Sequence, residues 1–119
     1  VDDGRPLFQQ IAEQVENAIV DGSLPEETQA PSTTELATFH RINPATAAKG
    51  LNSLVAEGIL YKRRGIGMFV ATGAAARLRD RRRAEFAGQF VEPLLAEARK
   101  LGLSLDEVAA MIVGAGVGS

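Results

Sequence analysis

At 119 residues, 45% of them hydrophobic, with a formal net charge of −2, the chain is sized for one small domain plus an appendage and has an ordinary apolar content for burying a core. The absence of cysteine excludes disulfides, thiolate chemistry and most structural zinc arrangements, and five Phe, one Tyr and no Trp offer no evident stacking platforms for single-stranded nucleic acid. No run approaches the ~18 apolar residues of a membrane span and no signal pattern opens the chain, so a soluble cytoplasmic protein with no membrane partner is expected.

Residues 6–21 carry Phe8, Ile11, Ala12, Val15, Ala18 and Ile19 at helical spacing, and Gly22 ends the pattern. Residues 23–31, with two prolines and several polar residues, are expected to form a connecting loop anchored by Leu24. Ser32-Thr33-Thr34-Glu35 then matches a capping box, in which Ser32 and Glu35 satisfy each other's backbone donors, and opens a short helix through Leu36, Ala37 and Phe39. His40-Arg41-Ile42 is a tight joint with Ile42 directed inward.

The next helix, residues 43–58, has Asn43 as N-cap, Pro44 at the first helical position and Gly58 as its stop. Ala47, Leu51, Leu54, Val55 and Gly58 form an apolar stripe, and Ala45, Thr46, Lys49 and Ser53 lie on the opposite side. Gly50 costs up to ~1 kcal/mol in helix propensity relative to Ala, which marks close packing. Taken alone, the outer face is most simply a solvated surface; it is also small, hydrogen-bonding and cationic enough to approach a polyanion.

Two helices so closely joined make a helix-turn-helix. After it, residues 59–71 place β-branched and aromatic residues on both sides of a Gly-rich turn, which reads as a hairpin tipped by Arg63, Arg64, Gly65, Ile66 and Gly67. The charge is polarised to match: between His40 and Arg64 stand Arg41, Lys49, Lys62, Arg63 and Arg64 against Glu57 alone, while acids dominate the first forty residues. Helix, helix-turn-helix and basic hairpin in this order predict a winged helix-turn-helix, mainly α with a small β-hairpin, over residues 1–72.

The motifs resemble the DNA-binding domain of the GntR family of bacterial transcription regulators. They are Pro31-Ser32-Thr33-Thr34-Glu35-Leu36-Ala37, Ala45-Thr46-Ala47-Ala48-Lys49, Glu57-Gly58 and Arg63-Arg64-Gly65-Ile66-Gly67-Met68-Phe69-Val70. The Asn43-Pro44 pair and the short C-terminal part are similar to the YtrA-type subfamily. The resemblance implies a double-stranded DNA operator as partner. Thr46 and Lys49 would face the major groove with Asn43, Pro44 and Ala45 leading, Ser32, Thr33 and Thr34 would flank them, and Lys62 to Gly67 would reach the adjacent minor groove or its phosphates. Three positions depart from the family pattern: Thr34 stands where an arginine that contacts DNA is usual, Ala30 replaces a leucine, and Glu27 replaces a common loop glycine. They bear on the operator sequence more than on the fold.

From Thr72 the chain turns helical again through the run Arg77, Arg79, Arg81, Arg82 and Arg83, which either touches flanking phosphates or sits in water; a cationic helix start argues for a compensating anion. Pro93 is expected to kink the helix or shift its backbone hydrogen bonds. Gly102 ends it, Ser104-Leu105-Asp106-Glu107 forms a second capping box with Leu103 and Val108 as a hydrophobic staple, and the final GAGVGS segment is expected to fray. Residues 73–119 are too few for a ligand-binding domain with its own cavity. They are expected to form a two-helix dimerisation segment, packing Phe86, Phe90, Leu94, Leu101, Leu105, Val108 and Ile112 against a second subunit.

A homodimer would set two recognition helices about 34 Å apart on an inverted repeat, and occupancy of a promoter would repress it. A small-molecule effector between subunits or domains is a further candidate partner. The competing reading is a winged-helix protein-interaction module with weak non-specific DNA binding. His40 is the sole histidine and the carboxylate pairs Asp2-Asp3 and Glu26-Glu27 lie in terminal or loop segments, so no enzyme, metal or cofactor is expected.

Overall fold

Helix α1 (Leu7–Val20) forms where Ile11, Val15 and Ile19 recur on one face, and these side chains are buried at the centre of the core. The computed structural model describes residues 5–117 and divides after Asp80 into two compact units. In the first, α1 is followed by α2 (Thr33–His40), α3 (Pro44–Ala56), an antiparallel hairpin of β1 (Leu60–Arg63) and β2 (Gly67–Val70), and the start of α4 (Ala74–Phe86). Leu36 and Ala37 of α2, Ala47, Leu51 and Leu54 of α3, Ile59, Leu60 and Val70 around the hairpin, and Ala74 and Leu78 of α4 complete one cluster.

Local chemistry explains the helix boundaries. The Ser32 hydroxyl accepts the Glu35 N–H at 3.0 Å while the Glu35 carboxylate accepts the Ser32 N–H at 2.9 Å, and these bonds hold the Glu35 carboxyl below the usual carboxylate range. Asn43 Oδ1 accepts the Ala45 N–H at 2.7 Å to cap α3. At the far end, Gly58 (φ +75°) lets its own N–H reach Val55 O and the Ile59 N–H reach Leu54 O, the paired bonds of a Schellman ending. The joint between α2 and α3 uses the same geometry without a glycine: Arg41 takes φ +56°, the Ile42 N–H bonds Ala37 O at 3.0 Å, and Ile42 turns onto the core as expected.

Gly50 sits where α3 crosses α1. A Cβ added there would lie 2.9 Å from the Phe8 carbonyl oxygen and 3.4 Å from Ile11 Cβ. Alanine gains up to about 1 kcal/mol of helix propensity and loses about 1–3 kcal/mol to overpacking. Gly50→Ala is therefore expected to destabilise the protein by up to about 2 kcal/mol in urea unfolding. Gly114→Ala in the last helix, with nothing within 4 Å of the added Cβ, is expected to be neutral or stabilising.

The second unit comprises the rest of α4, a π-helical turn Ala87–Val91, α5 (Glu92–Lys100) and α6 (Leu105–Val117). Pro93 does not break the path. The Glu92 N–H reaches five residues back to Ala87 O, so the π turn absorbs the shift in hydrogen bonding that the proline demands. Gly102 (φ +71°) ends α5 with a second Schellman pair, Leu103 N–H to Ala98 O and Gly102 N–H to Arg99 O. The Ser104–Glu107 capping box forms as expected.

Two expectations change in this unit. Helix α6 runs through Gly114 to Val117, because single glycines cost only about 1 kcal/mol each once a helix is capped and propagating, and the rest of the segment expected to fray, 118–119, lies outside the described residues. Val108, expected on the partner-facing side, is 5% exposed: it lies one turn beyond the Ser104 cap, the position from which a staple folds inward.

Candidate nucleic-acid interface

Helix α3 buries Ala47, Gly50, Leu51 and Leu54. Because the bare backbone at Gly50 joins the packed arc, the outward face is rotated from its expected position and consists of Ala45, Lys49, Asn52 and Ala56. Thr46 and Ser53 are half-buried on its flanks, and the Ser53 hydroxyl is spent on Gly50 O at 2.7 Å. Asn52 is thus a polar outward residue that the periodicity missed; a stripe centred with Gly50 included would have found it. Pro44 and Asn43 are exposed at the leading end, with the Asn43 side-chain oxygen Oδ1 committed to the cap. Lys49 is exposed, and its Nζ lies 4.2 Å from the centroid of the Phe8 ring, a cation–π contact that holds the only cation of α3 at the surface.

At the start of α2, Ser32 and Thr34 are exposed and Thr33 is half-buried, but the Ser32 hydroxyl is engaged in its capping box. The hairpin pairs Leu60 with Val70, Tyr61 with Phe69, Lys62 with Met68 and Arg63 with Gly67. Its tip is a four-residue turn closed by Ile66 N–H to Arg63 O at 3.0 Å, with Gly65 at φ +75°. Lys62, Arg63, Arg64, Gly65 and Ile66 are exposed, and the Arg63 guanidinium stacks 4.6 Å from the Phe69 ring centroid. The tip therefore offers cations and bare backbone together, which suits the sugar-phosphate edge of a groove.

The segment expected to be a plain loop is instead bound to the hairpin. Glu27 N–H donates to Val70 O, Val70 N–H to Thr28 O and Ala30 N–H to Met68 O, at 2.8, 3.0 and 2.8 Å. Glu27 adopts a left-handed conformation (φ +64°), and its carboxylate accepts from the Thr72 and Tyr61 hydroxyls, each at 2.5 Å. Those bonds hold the Glu27 carboxyl below its usual range, and the same carboxylate raises the Tyr61 hydroxyl above its own.

The open question of the arginine run resolves partly into structure. Arg77 Nη2 donates to Glu57 O at 2.7 Å and Nη1 to Gly58 O at 3.0 Å, capping the end of α3, and Arg79 Nη2 donates to Val20 O at 3.0 Å at the end of α1. The anion expected at the start of α4 is Glu26, whose carboxylate accepts from the Gly73 N–H at 2.9 Å and the Ala75 N–H at 3.3 Å.

A capped two-helix joint with a projecting third helix and a hairpin anchored behind it defines a winged helix-turn-helix protein. Residues 7–70, more than half of the chain, match the bacterial regulatory proteins of the gntR family, and the chain belongs to that family. It is a regulatory protein and not an enzyme. The chain is 28% identical over 103 residues to the HTH-type transcriptional repressor YtrA of Bacillus subtilis, covering 87% of this chain and 78% of that protein. Among solved structures it resembles a GntR family transcriptional regulator from Listeria monocytogenes, with 27% identity, a TM-score of 0.74 and coverage of 96% of this chain and 98% of that one. It also resembles the DNA-binding domain of AraR crystallised with operator ORX1, with 28% identity, a TM-score of 0.56, and coverage of 60% and 86%.

Proposed function

We propose that the chain is a homodimeric, sequence-specific DNA-binding repressor in the cytoplasm that reads an inverted-repeat operator, with residues 1–72 contacting DNA and residues 73–119 joining the subunits. The observation that carries the reading is the pairing of an outward α3 face free of acids, Ala45, Lys49, Asn52 and Ala56, with an exposed wing tip of Arg63, Arg64 and Gly65. Small residues on α3 allow close approach to base edges, Lys49 serves a base or a phosphate, and the wing adds phosphate contacts. The similar AraR domain was crystallised on an operator, and the similar YtrA is named a repressor. The first supports DNA as the partner and the second repression as the outcome.

Selection of bound DNA from a random pool tests the reading, since a recovered inverted repeat reports specificity, symmetry and spacing at once; recovery of no shared sequence would overturn it. On the selected repeat, Lys49→Ala is expected to weaken binding and to reduce the dependence of log K on log salt by about one unit per half-site if Lys49 meets a phosphate. If it meets a base instead, discrimination at one position falls by about 1–3 kcal/mol with the salt slope unchanged. Gel shifts over a salt series with repeat and point-changed DNA separate the two.

A further inference from the structure

The wing is a two-stranded hairpin, and an isolated hairpin is marginally ordered in water. Here residues 26–30 hold it at both ends. At the base, the Glu27 carboxylate bonds Tyr61 on β1 and Thr72 just after β2, so one side chain ties the two feet of the hairpin together. At the tip, Gln29 Nε2 donates to Ile66 O at 3.0 Å, and a Cβ on Gly67 would meet that same nitrogen at 2.6 Å. Gly67 therefore leaves the space that the Gln29 amide occupies. Between these points the backbone bridges from Glu27, Thr28 and Ala30 to β2 act as a short third strand.

We propose that Glu27 and Gln29 are positioning residues for DNA reading: acting through Tyr61, Thr72 and the Ile66 carbonyl, they set where the Arg63-Arg64-Gly65 tip stands relative to the recognition helix. The proposal rests on the DNA-binding reading above. A glycine at position 27 would keep the left-handed backbone at no steric cost and remove the side chain with its carboxylate, so Glu27→Gly takes away the anchor and leaves the turn. Glutamine keeps a group that can bond both hydroxyls, because a hydroxyl donates to its oxygen or accepts from its amide.

The test uses the full chain and the DNA repeat recovered by selection, with major-groove protection read by guanine methylation and minor-groove protection by hydroxyl radicals. Glu27→Gly is expected to bind about tenfold more weakly, the loss of roughly one good base or phosphate contact. Minor-groove protection beside the half-site is expected to fade while major-groove protection and melting temperature persist, and Gln29→Ala to show the same split. Glu27→Gln is expected to restore wild-type binding and footprint. Glu27→Gly binding within twofold of wild type with an unchanged footprint overturns the proposal, as does parallel loss of both protections with a lowered melting temperature, which is a merely structural role. Absence of any specific binding by the wild-type chain overturns the DNA reading itself and this proposal with it.

Discussion

Leu78→Ala is expected to lower the unfolding free energy by about 2–5 kcal/mol, the range for truncating a fully buried leucine. Leu78 is 0% exposed and belongs to the same cluster as Leu51 and Leu54 of the recognition helix. Small domains have about 5–15 kcal/mol of net stability, so the variant loses a large share of it. The effect should exceed simple cavity formation, because Leu78 seats the stretch of α4 whose neighbours Arg77 and Arg79 bond the carbonyls ending α3 and α1. Loosening that stretch leaves three helix-terminal carbonyls without their guanidinium partners. Urea unfolding followed by far-UV circular dichroism measures the loss. A change of less than about 0.5 kcal/mol, the usual size for surface substitutions, would show that α4 contributes nothing to the core.

Phe90→Arg is expected to abolish dimerisation and, with it, tight binding to a two-site operator. Among the described residues of the second unit, Ala98 and Val108 are the buried hydrophobics, whereas Phe90 is 60% exposed, with Phe86, Leu94, Leu101, Leu105, Met111, Ile112 and Val113 also open to water. The Phe86 and Phe90 rings already pair at 5.6 Å between centroids. So much exposed apolar surface on so small a unit is the mark of an interaction face. In the proposed dimer its counterpart is the same face of a second copy, related by a two-fold axis, and a cation at Phe90 would be carried into that apolar contact at the cost of its hydration.

Sedimentation is expected to show a wild-type dimer and a monomeric variant at micromolar concentration. Affinity for the full repeat should fall by about 10²–10⁴, the benefit of tethering two sites, with half-site affinity unchanged. A wild-type monomer at micromolar concentration that remains unpaired on DNA would sink the dimer and leave the protein-interaction reading for this face.

Features set by neighbours in the sequence were legible from it. The Ser32–Glu35 and Ser104–Glu107 capping boxes, the Asn43 cap with Pro44, the endings at Gly58 and Gly102, and the hairpin around Gly65 are each written within a few residues, because the hydrogen bonds that make them close over short loops. The close approach at Gly50 could be anticipated from its cost to the helix, and its partner, the Phe8 carbonyl, could not. Asn52 was missed for a related reason: the buried arc of α3 is defined by two packing surfaces, and periodicity within the helix locates only one.

The amino-acid sequence by itself determined the order of elements, their caps, the polarised charge of the recognition helix and wing, and the family to which the chain belongs. Tertiary structure alone decided what the long-range polar side chains do. Glu26 faces the start of α4 from 47 residues away, Glu27 holds Tyr61 and Thr72 across separations of 34 and 45, and Arg79 reaches Val20 across 59. A charged side chain in a loop or an arginine run carries no local mark of its partner. Its bond exists only where the hydrophobic cluster holds distant backbone together, and the free energy that selects the partner is that of satisfying a particular helix end or hairpin foot at that place.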